Sequence, residues 1–263
     1  MRYFDAHCHI QFDAFAEDRS EVISRMRDAG VGGLVVGTDL QSSVSALALV
    51  QHEPDLWAAA GLHPNAAADG FDERSFRDLL RHPKMVAAGE CGLDNFRPED
   101  PEAAARLQRE TFEAHVRLAI GADKPLMIHA RPRKGTQDAY RDTIEILRSY
   151  AREHGERLRG DVHFFVGGVD EARAFIELGF TLSFTAVLTF ARDYDEVVRF
   201  APLGSLLTET DSPYVAPARI RGQRNDPTSI PDVVAAIAGI RGEGEEIVRE
   251  AVLGNALRLF RLA

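Results

Sequence analysis

The sequence predicts an α/β fold, a TIM (β/α)8 barrel forming one domain over residues 1–263. Three observations lead there. Short apolar strands alternate with amphipathic helices along the whole chain, the pattern of parallel βα units rather than of a sandwich. Five of the strands run directly into residue types that ligate metals: His7 and His9, Glu90, His129, His163 and Asp211. The intervals between these residues fit whole strand-plus-helix units of roughly 31 residues, an eighth of a typical barrel. The five groups therefore fall on strands 1, 4, 5, 6 and 8, at the C-terminal ends where barrel enzymes build their sites.

Each element has its own warrant. Phe4-Asp5-Ala6 opens strand 1 and leads into His7-Cys8-His9. Residues two apart in an extended chain point to one side, so His7 and His9 project together and Cys8 turns away. Two imidazoles side by side at a strand end are half of a divalent-metal site. Residues 17–29 read as helix 1, 31–37 as strand 2, 43–51 as a helix and 56–61 as strand 3, which ends at Leu62-His63-Pro64. Residues 71–81 are helical by their spacing, and strand 4, residues 85–89, ends at Glu90. Asp100 and Pro101 supply an N-cap and a first-turn proline for a long helix through Ile120, with Phe112, Val116 and Ala119 on one face. Strand 5, residues 125–128, ends at His129, and 135–152 follows as a charged helix. Strand 6, Asp161-Val162, ends at His163; the helix over 170–178 stops at Gly179, a C-cap glycine. Residues 180–184 form strand 7, 194–200 a helix, and 205–210 strand 8, which ends at Asp211. Helices over 231–240 and 243–262 close the barrel.

Composition agrees with one enzyme-sized domain. A chain of 263 residues, 45% hydrophobic and 27% charged, suits a single barrel with a large core. No stretch approaches the length of a membrane span, and Met1 stands too close to strand 1 for a signal peptide, so a cytoplasmic location is expected. Two cysteines, Cys8 and Cys91, make no disulfide framework. Each neighbours a proposed ligand, and strand alternation turns each away from the site.

A net charge of −10 argues against a protein that coats nucleic acid indiscriminately. It leaves room for a basic cleft. Arg131, Arg133 and Lys134 follow His129, and Arg219, Arg221 and Arg224 follow Asp211. Such runs are commonly solvated loops. Two of them beside one metal site favour an anionic substrate, and guanidinium groups grip phosphate bidentately.

These strings together resemble the TatD family of metal-dependent hydrolases, a branch of the amidohydrolase-like barrels. The resemblance runs through residues 5–9, Gly61-Leu62-His63-Pro64, Gly89-Glu90-Cys91-Gly92-Leu93-Asp94 and Ile128-His129-Ala130-Arg131. It continues through His163-Phe164-Phe165, Glu209-Thr210-Asp211-Ser212-Pro213-Tyr214, residues 221–225 and residues 255–260. Their order and spacing cover nearly the whole chain.

The resemblance implies a metal-dependent hydrolase, a deoxyribonuclease-type phosphodiesterase whose modes include 3'-5' exonuclease action, with two divalent ions (zinc, manganese or magnesium). One ion would be held by His7, His9 and Asp211, the other by His129 and His163, with Glu90 bridging. Asp211 would be the base that takes the proton of a water activated by the ions. DNA or another phosphate-containing molecule would be the substrate, with no membrane and no obligate protein partner. Phosphotriesterase-like and dihydroorotase-like barrels bridge their metals with a carboxylated lysine; here Lys84 starts strand 4, at the wrong end.

Around the ligands, His63, Arg131, Arg221 and Arg224 are expected to contact substrate, with a loop cap as the other reading of His63. Glu209 either orients a ligand imidazole or is a paired barrel carboxylate, and Asp94 anchors a loop. His52, His82, His115 and His154 are read as structural. Phe164, Phe165, Phe184 and Phe190 could stack a base, core packing being the better reading for most. Pro132 and Gly167-Gly168 depart from the family pattern at the substrate rim, which leaves three classes open. These are a nuclease, a hydrolase of another ester or amide (a lactone or aminoacyl ester) on the same ions, and a metal-binding protein without turnover.

Overall fold

The computed structural model describes residues 1–96 and 101–262, the side chain of residue 101 excepted. Its eight parallel strands follow one another around the sheet in chain order. They are β1 (Tyr3–Cys8), β2 (Val31–Val36), β3 (Leu56–Ala60), β4 (Met85–Asp94), β5 (Leu126–Arg131), β6 (Gly160–Val162), β7 (Thr181–Phe184) and β8 (Leu206–Thr208). The helices are α1 (Arg19–Ala29), α2 (Leu40–Val50), α3 (Glu73–Leu79), α4 (Pro101–Ala122), α5 (Asp138–His154), α6 (Val169–Glu177), α7 (Asp195–Phe200), α8 (Ile230–Arg241) and α9 (Glu245–Phe260). The ring closes just beyond β8, where Cys8 bridges in parallel to Ser212. There the His9 amide donates to the Ser212 carbonyl (2.8 Å), and the Asp211 amide to the His7 carbonyl (2.9 Å). This is the (β/α)8 barrel that the alternation predicts.

A bulge in β1 between Asp5 and Cys8 aims His7 and His9. It inserts one extra residue, which flips the alternation. Below it Phe4 and Ala6 pack with Leu34, Val36, Ala59, Met127 and Leu207. Above it His7 and His9 share one side, and Cys8 joins the outer layer between strands and helices.

Several boundaries differ from the expected ones for local reasons. β4 does not stop at Glu90 but continues to Asp94. Gly89 (φ +143°) and Gly92 (φ +144°) hold backbone conformations that side chains rarely adopt. A Cβ on either would collide with a backbone oxygen of β5, Met127 for the first and His129 for the second. α2 starts earlier than expected because Asp39 caps it, accepting the Ser42 amide at 2.7 Å in a capping box. α5 starts later, because Asp138 accepts the amides of Arg133 (3.0 Å) and Ala139 (2.8 Å) and leaves residues 132–137 as a loop. The N-cap expected at Asp100 lies outside the described residues. No helix among the described residues is long and apolar enough to cross a membrane.

Candidate metal centre

The fold gathers His7, His9, Glu90, His129, His163 and Asp211 at the C-terminal end of the barrel. His7 and His129 sit within strands, His9 and His163 stand one residue past β1 and β6, and Asp211 follows β8 at φ +51°. That left-handed conformation is uncommon outside glycine and is held here by the bond from the Asp211 amide to His7.

Glu90 lies at the centre and is nearly fully buried. Its Oε2 faces one imidazole pair, His7 Nε2 at 3.4 Å and His9 Nε2 at 3.9 Å. Its Oε1 faces the other, His129 Nδ1 at 2.9 Å and His163 Nε2 at 3.0 Å. Asp211 Oδ1 completes the first group, 3.5 Å from His9 Nε2 and 3.9 Å from His7 Nε2.

Acceptors stand behind three of the four imidazoles and orient them, whereas His7 Nδ1 is buried without a hydrogen-bond partner among the described residues. His9 Nδ1 meets the Val36 carbonyl at 2.8 Å, and His129 Nε2 meets Asp94 Oδ2 at 3.1 Å. His163 Nδ1 lies 3.4 Å from Glu209 Oε1, the oxygen that accepts the Phe164 amide at 2.7 Å. Behind Glu209, Ser183 Oγ is 2.6 Å from both Glu209 Oε2 and Asp161 Oδ2. A hydroxyl has one proton to donate, so the second contact uses a proton held on the carboxyl pair. Burial, with the Glu209 charge, pushes Asp161 up to about 7.

The charges explain why the cluster suits cations. Burial would raise Glu90, yet the imidazoles of His163, His63 and His129 outweigh it and hold the carboxyl well below its usual range. Burial would lower His163 and His129, yet the facing carboxylates reverse both: His163 stands well above its usual value, raised by Glu90 and Glu209, and His129 is raised by Asp94 and Glu90. His7, by contrast, is lowered by burial and by His163. A negative field that retains protons so strongly retains metal cations for the same reason.

Spacing supports the fit. His7 Nε2 and His9 Nε2 are 3.1 Å apart, and His129 Nδ1 and His163 Nε2 are 3.3 Å apart. Two nitrogens bound tetrahedrally to one ion at ~2.0–2.1 Å stand about 3.4 Å apart. His7, His9 and Asp211 form one group able to hold an ion, and His7, Glu90 and His163 a second. His63, Asp94 and His129 form a third such group.

Above the cluster opens a cavity of about 670 Å³ whose lining includes His63, Arg131, Phe164 and Tyr194. His63 Nδ1 accepts the Asn65 amide at 3.1 Å, which leaves the proton on Nε2, 3.4 Å from Glu90 Oε1. Burial lowers His63 to about 4. Arg131 lies at the rim with its guanidinium over the Phe96 ring. Arg221 and Arg224 are placed otherwise, and neither lines the cavity. Arg221 covers the Phe190 ring at 3.9 Å. Arg224 forms an ion pair with Asp18 at the surface (Nη1 to Oδ1, 2.8 Å) and lies over Phe15.

Other expected placements are now concrete. Cys8 and Cys91 are buried and belong to none of the metal-binding groups. His115 is structural: its Nε2 accepts the Leu62 amide at 3.0 Å, and its Nδ1 meets the Thr111 carbonyl at 2.8 Å. Lys84 Nζ reaches the Leu56 carbonyl at 2.8 Å, beside Trp57 at the start of β3. Sequence reasoning missed Asp94 as the partner of His129. The two glycines flanking Glu90 were the available sign that β4 runs on to it.

Comparison with known proteins follows the same lines. The model of the family described as TatD related DNase matches residues 4–261. The chain is 34% identical over 264 residues to YabD of Bacillus subtilis, described as an uncharacterized metal-dependent hydrolase, covering 98% of this chain and 99% of that protein. It is 34% identical over 273 residues to TatD of Pantoea vagans, named a 3'-5' ssDNA/RNA exonuclease, covering 99% and 100%. The crystal structure of YjjV, a TatD homolog from Escherichia coli, superposes with a TM-score of 0.89 at 30% identity, covering 100% of this chain and 99% of that one. On a match that runs through every strand of the barrel, the chain belongs to the TatD-related DNase family.

Proposed function

We propose that this chain is a metal-dependent phosphodiesterase that hydrolyses nucleic acid, acting from a strand end. The single observation that carries this is the division of Glu90, whose two carboxylate oxygens face two separate imidazole pairs beneath an arginine-rimmed cavity. His7, His9 and Asp211 would hold one divalent ion, His129 and His163 the other, with Glu90 between them. Two such ions supply Lewis acidity, which makes a water acidic enough to attack and offsets charge on phosphoryl oxygens.

The chain's own groups do the rest. Asp211 is the cluster carboxylate most open to the cavity, with its side chain 14% exposed against 4% for Glu90. It accepts the proton of the attacking water. Arg131 binds the non-bridging oxygens of the phosphate. His63 presents Nε2–H to the substrate as a neutral donor. Phe12, beside His9, and the walls above it exclude bulk water from the reacting atoms. The exonuclease name of the Pantoea relative supports the choice of a nucleic-acid substrate.

The test is a panel of single-stranded DNA, duplex DNA and RNA oligonucleotides with zinc, manganese or magnesium, set against simple ester and lactone substrates. Release of nucleotides from single-strand ends is expected. Ester or lactone turnover with every oligonucleotide left intact would overturn the nuclease reading.

A further inference from the structure

The mouth of the cavity has two chemically different halves, and the order of strands around the barrel separates them. From the β3 and β5 side come His63 and Arg131, the groups suited to a phosphate. From the β6, β7 and β8 side come Phe164, Tyr194 and Tyr214, with Phe12 following from the loop after the adjoining β1. Four aromatic rings from four loops thus face the cavity on one side. Phe164, Tyr194 and Phe12 are half-buried, whereas Tyr214 is 55% exposed and only three residues beyond Asp211. A large aromatic ring held open on the cavity wall that also carries Asp211 gains nothing from the core. Its chemistry suits a flat ligand.

Resting on the phosphodiesterase reading, we infer that this aromatic half is a subsite for an unpaired nucleobase adjoining the scissile phosphate, and that Tyr214 is the specificity residue forming its outer wall. A nucleotide carries a charge and a flat ring side by side, which matches the two halves of the mouth. Stacking needs a base with an open face, so a base paired and stacked within a duplex does not qualify. The subsite therefore selects frayed or single-stranded ends. Stacking on an aromatic ring tolerates any base, so the preference is for strandedness rather than for sequence. No covalent step is involved.

The experiment pairs two single-stranded oligonucleotides, identical except that one carries an abasic residue next to the scissile phosphate, with the metal-loaded wild type, Tyr214→Ala and Tyr214→Phe. Tyr214→Ala is expected to lower kcat/KM roughly 5- to 150-fold on the normal strand, the weight of one stacked base. On the abasic strand it should change it less than about 2-fold, and Tyr214→Phe should behave as wild type on both. An equal loss on both strands, or none on either, overturns the subsite. Fluorescence anisotropy with the same strands separates this inference from the nuclease reading. Base-dependent binding that disappears in Tyr214→Ala without any cleavage would sink the nuclease reading and keep the subsite. Binding that ignores the base would remove the subsite whatever is cleaved.

Discussion

Asp5 and Thr210 join the first and last parts of the barrel wall. The Asp5 carboxylate accepts the Thr210 amide at 2.9 Å and the Thr210 hydroxyl at 2.5 Å, and both residues are fully buried. The same carboxylate accepts the His7 amide at 3.2 Å. One side chain therefore fixes the strand that carries His7 and the residue next to Asp211. Burial pushes Asp5 well above its usual value, against the Thr210 bonds that favour its charge.

Thr210→Val keeps the shape and removes the hydroxyl, which also accepts the Ser212 amide at 3.1 Å. Leaving these buried groups short of a partner should cost about 1–3 kcal/mol. Urea unfolding should show a lower midpoint with an unchanged m-value. A variant as stable as wild type would mean that the seam does not depend on this pair.

Glu90→Gln keeps one oxygen and loses the charge shared between the two imidazole pairs. On the proposed two-ion reading, occupancy of both ions should fall together, as measured by elemental analysis after dialysis. Unchanged stoichiometry would take Glu90 out of the bridge.

Kinetic effects should divide by position. Asp211→Asn is expected to lower kcat by about 10²–10⁴, the weight of general-base catalysis, with little change in KM. Arg131→Ala should instead raise KM for oligonucleotides, most strongly at low salt. Arg224→Ala should leave KM alone, since its guanidinium is occupied by Asp18. A KM increase in Arg224→Ala matching that of Arg131→Ala would return Arg224 to the substrate rim.

His115 gives a pH dependence of stability away from the cluster. Burial lowers it from 6.5 to about 4 in the folded chain. Between those values the unfolded chain binds a proton that the folded chain refuses. The associated stability is thus complete above pH 6.5 and is lost as pH falls to about 4, amounting to about 3 kcal/mol. His115→Gln should flatten that part of the stability–pH curve. A curve of unchanged slope would show that other groups cause it.

The barrel and the gathering of six ligand-type residues were legible because strand ends carry both kinds of information at once. An apolar run marks the strand, and the polar residue that stops it marks the mouth. Asp94 was harder to read, since two glycines are the sole sign that β4 continues, and a glycine next to Glu90 reads locally as a strand that has ended. The fate of Arg224 was equally hidden. Its partner Asp18 lies on a different loop, and a run of arginines in sequence says nothing about which carboxylates the fold brings to each. Exposure of Tyr214 likewise belongs to three dimensions, because an isolated tyrosine after proline looks the same whether it faces core or water.

The order in which the candidate ligands occur along the chain has a consequence for assembly. Glu90, His129 and His163 come from the neighbouring strands β4, β5 and β6, and can meet as soon as that arc of the wall exists. His7 and His9 need Asp211, which waits on the last strand and on the meeting of Cys8 with Ser212. An ion held by His7, His9 and Asp211 would act as a latch on the finished ring, while Glu90, His129 and His163 belong to the half-built one. A chelator should then unzip the molecule at its seam first, with amide exchange rising in β1 and in residues 209–212 before it rises in β5.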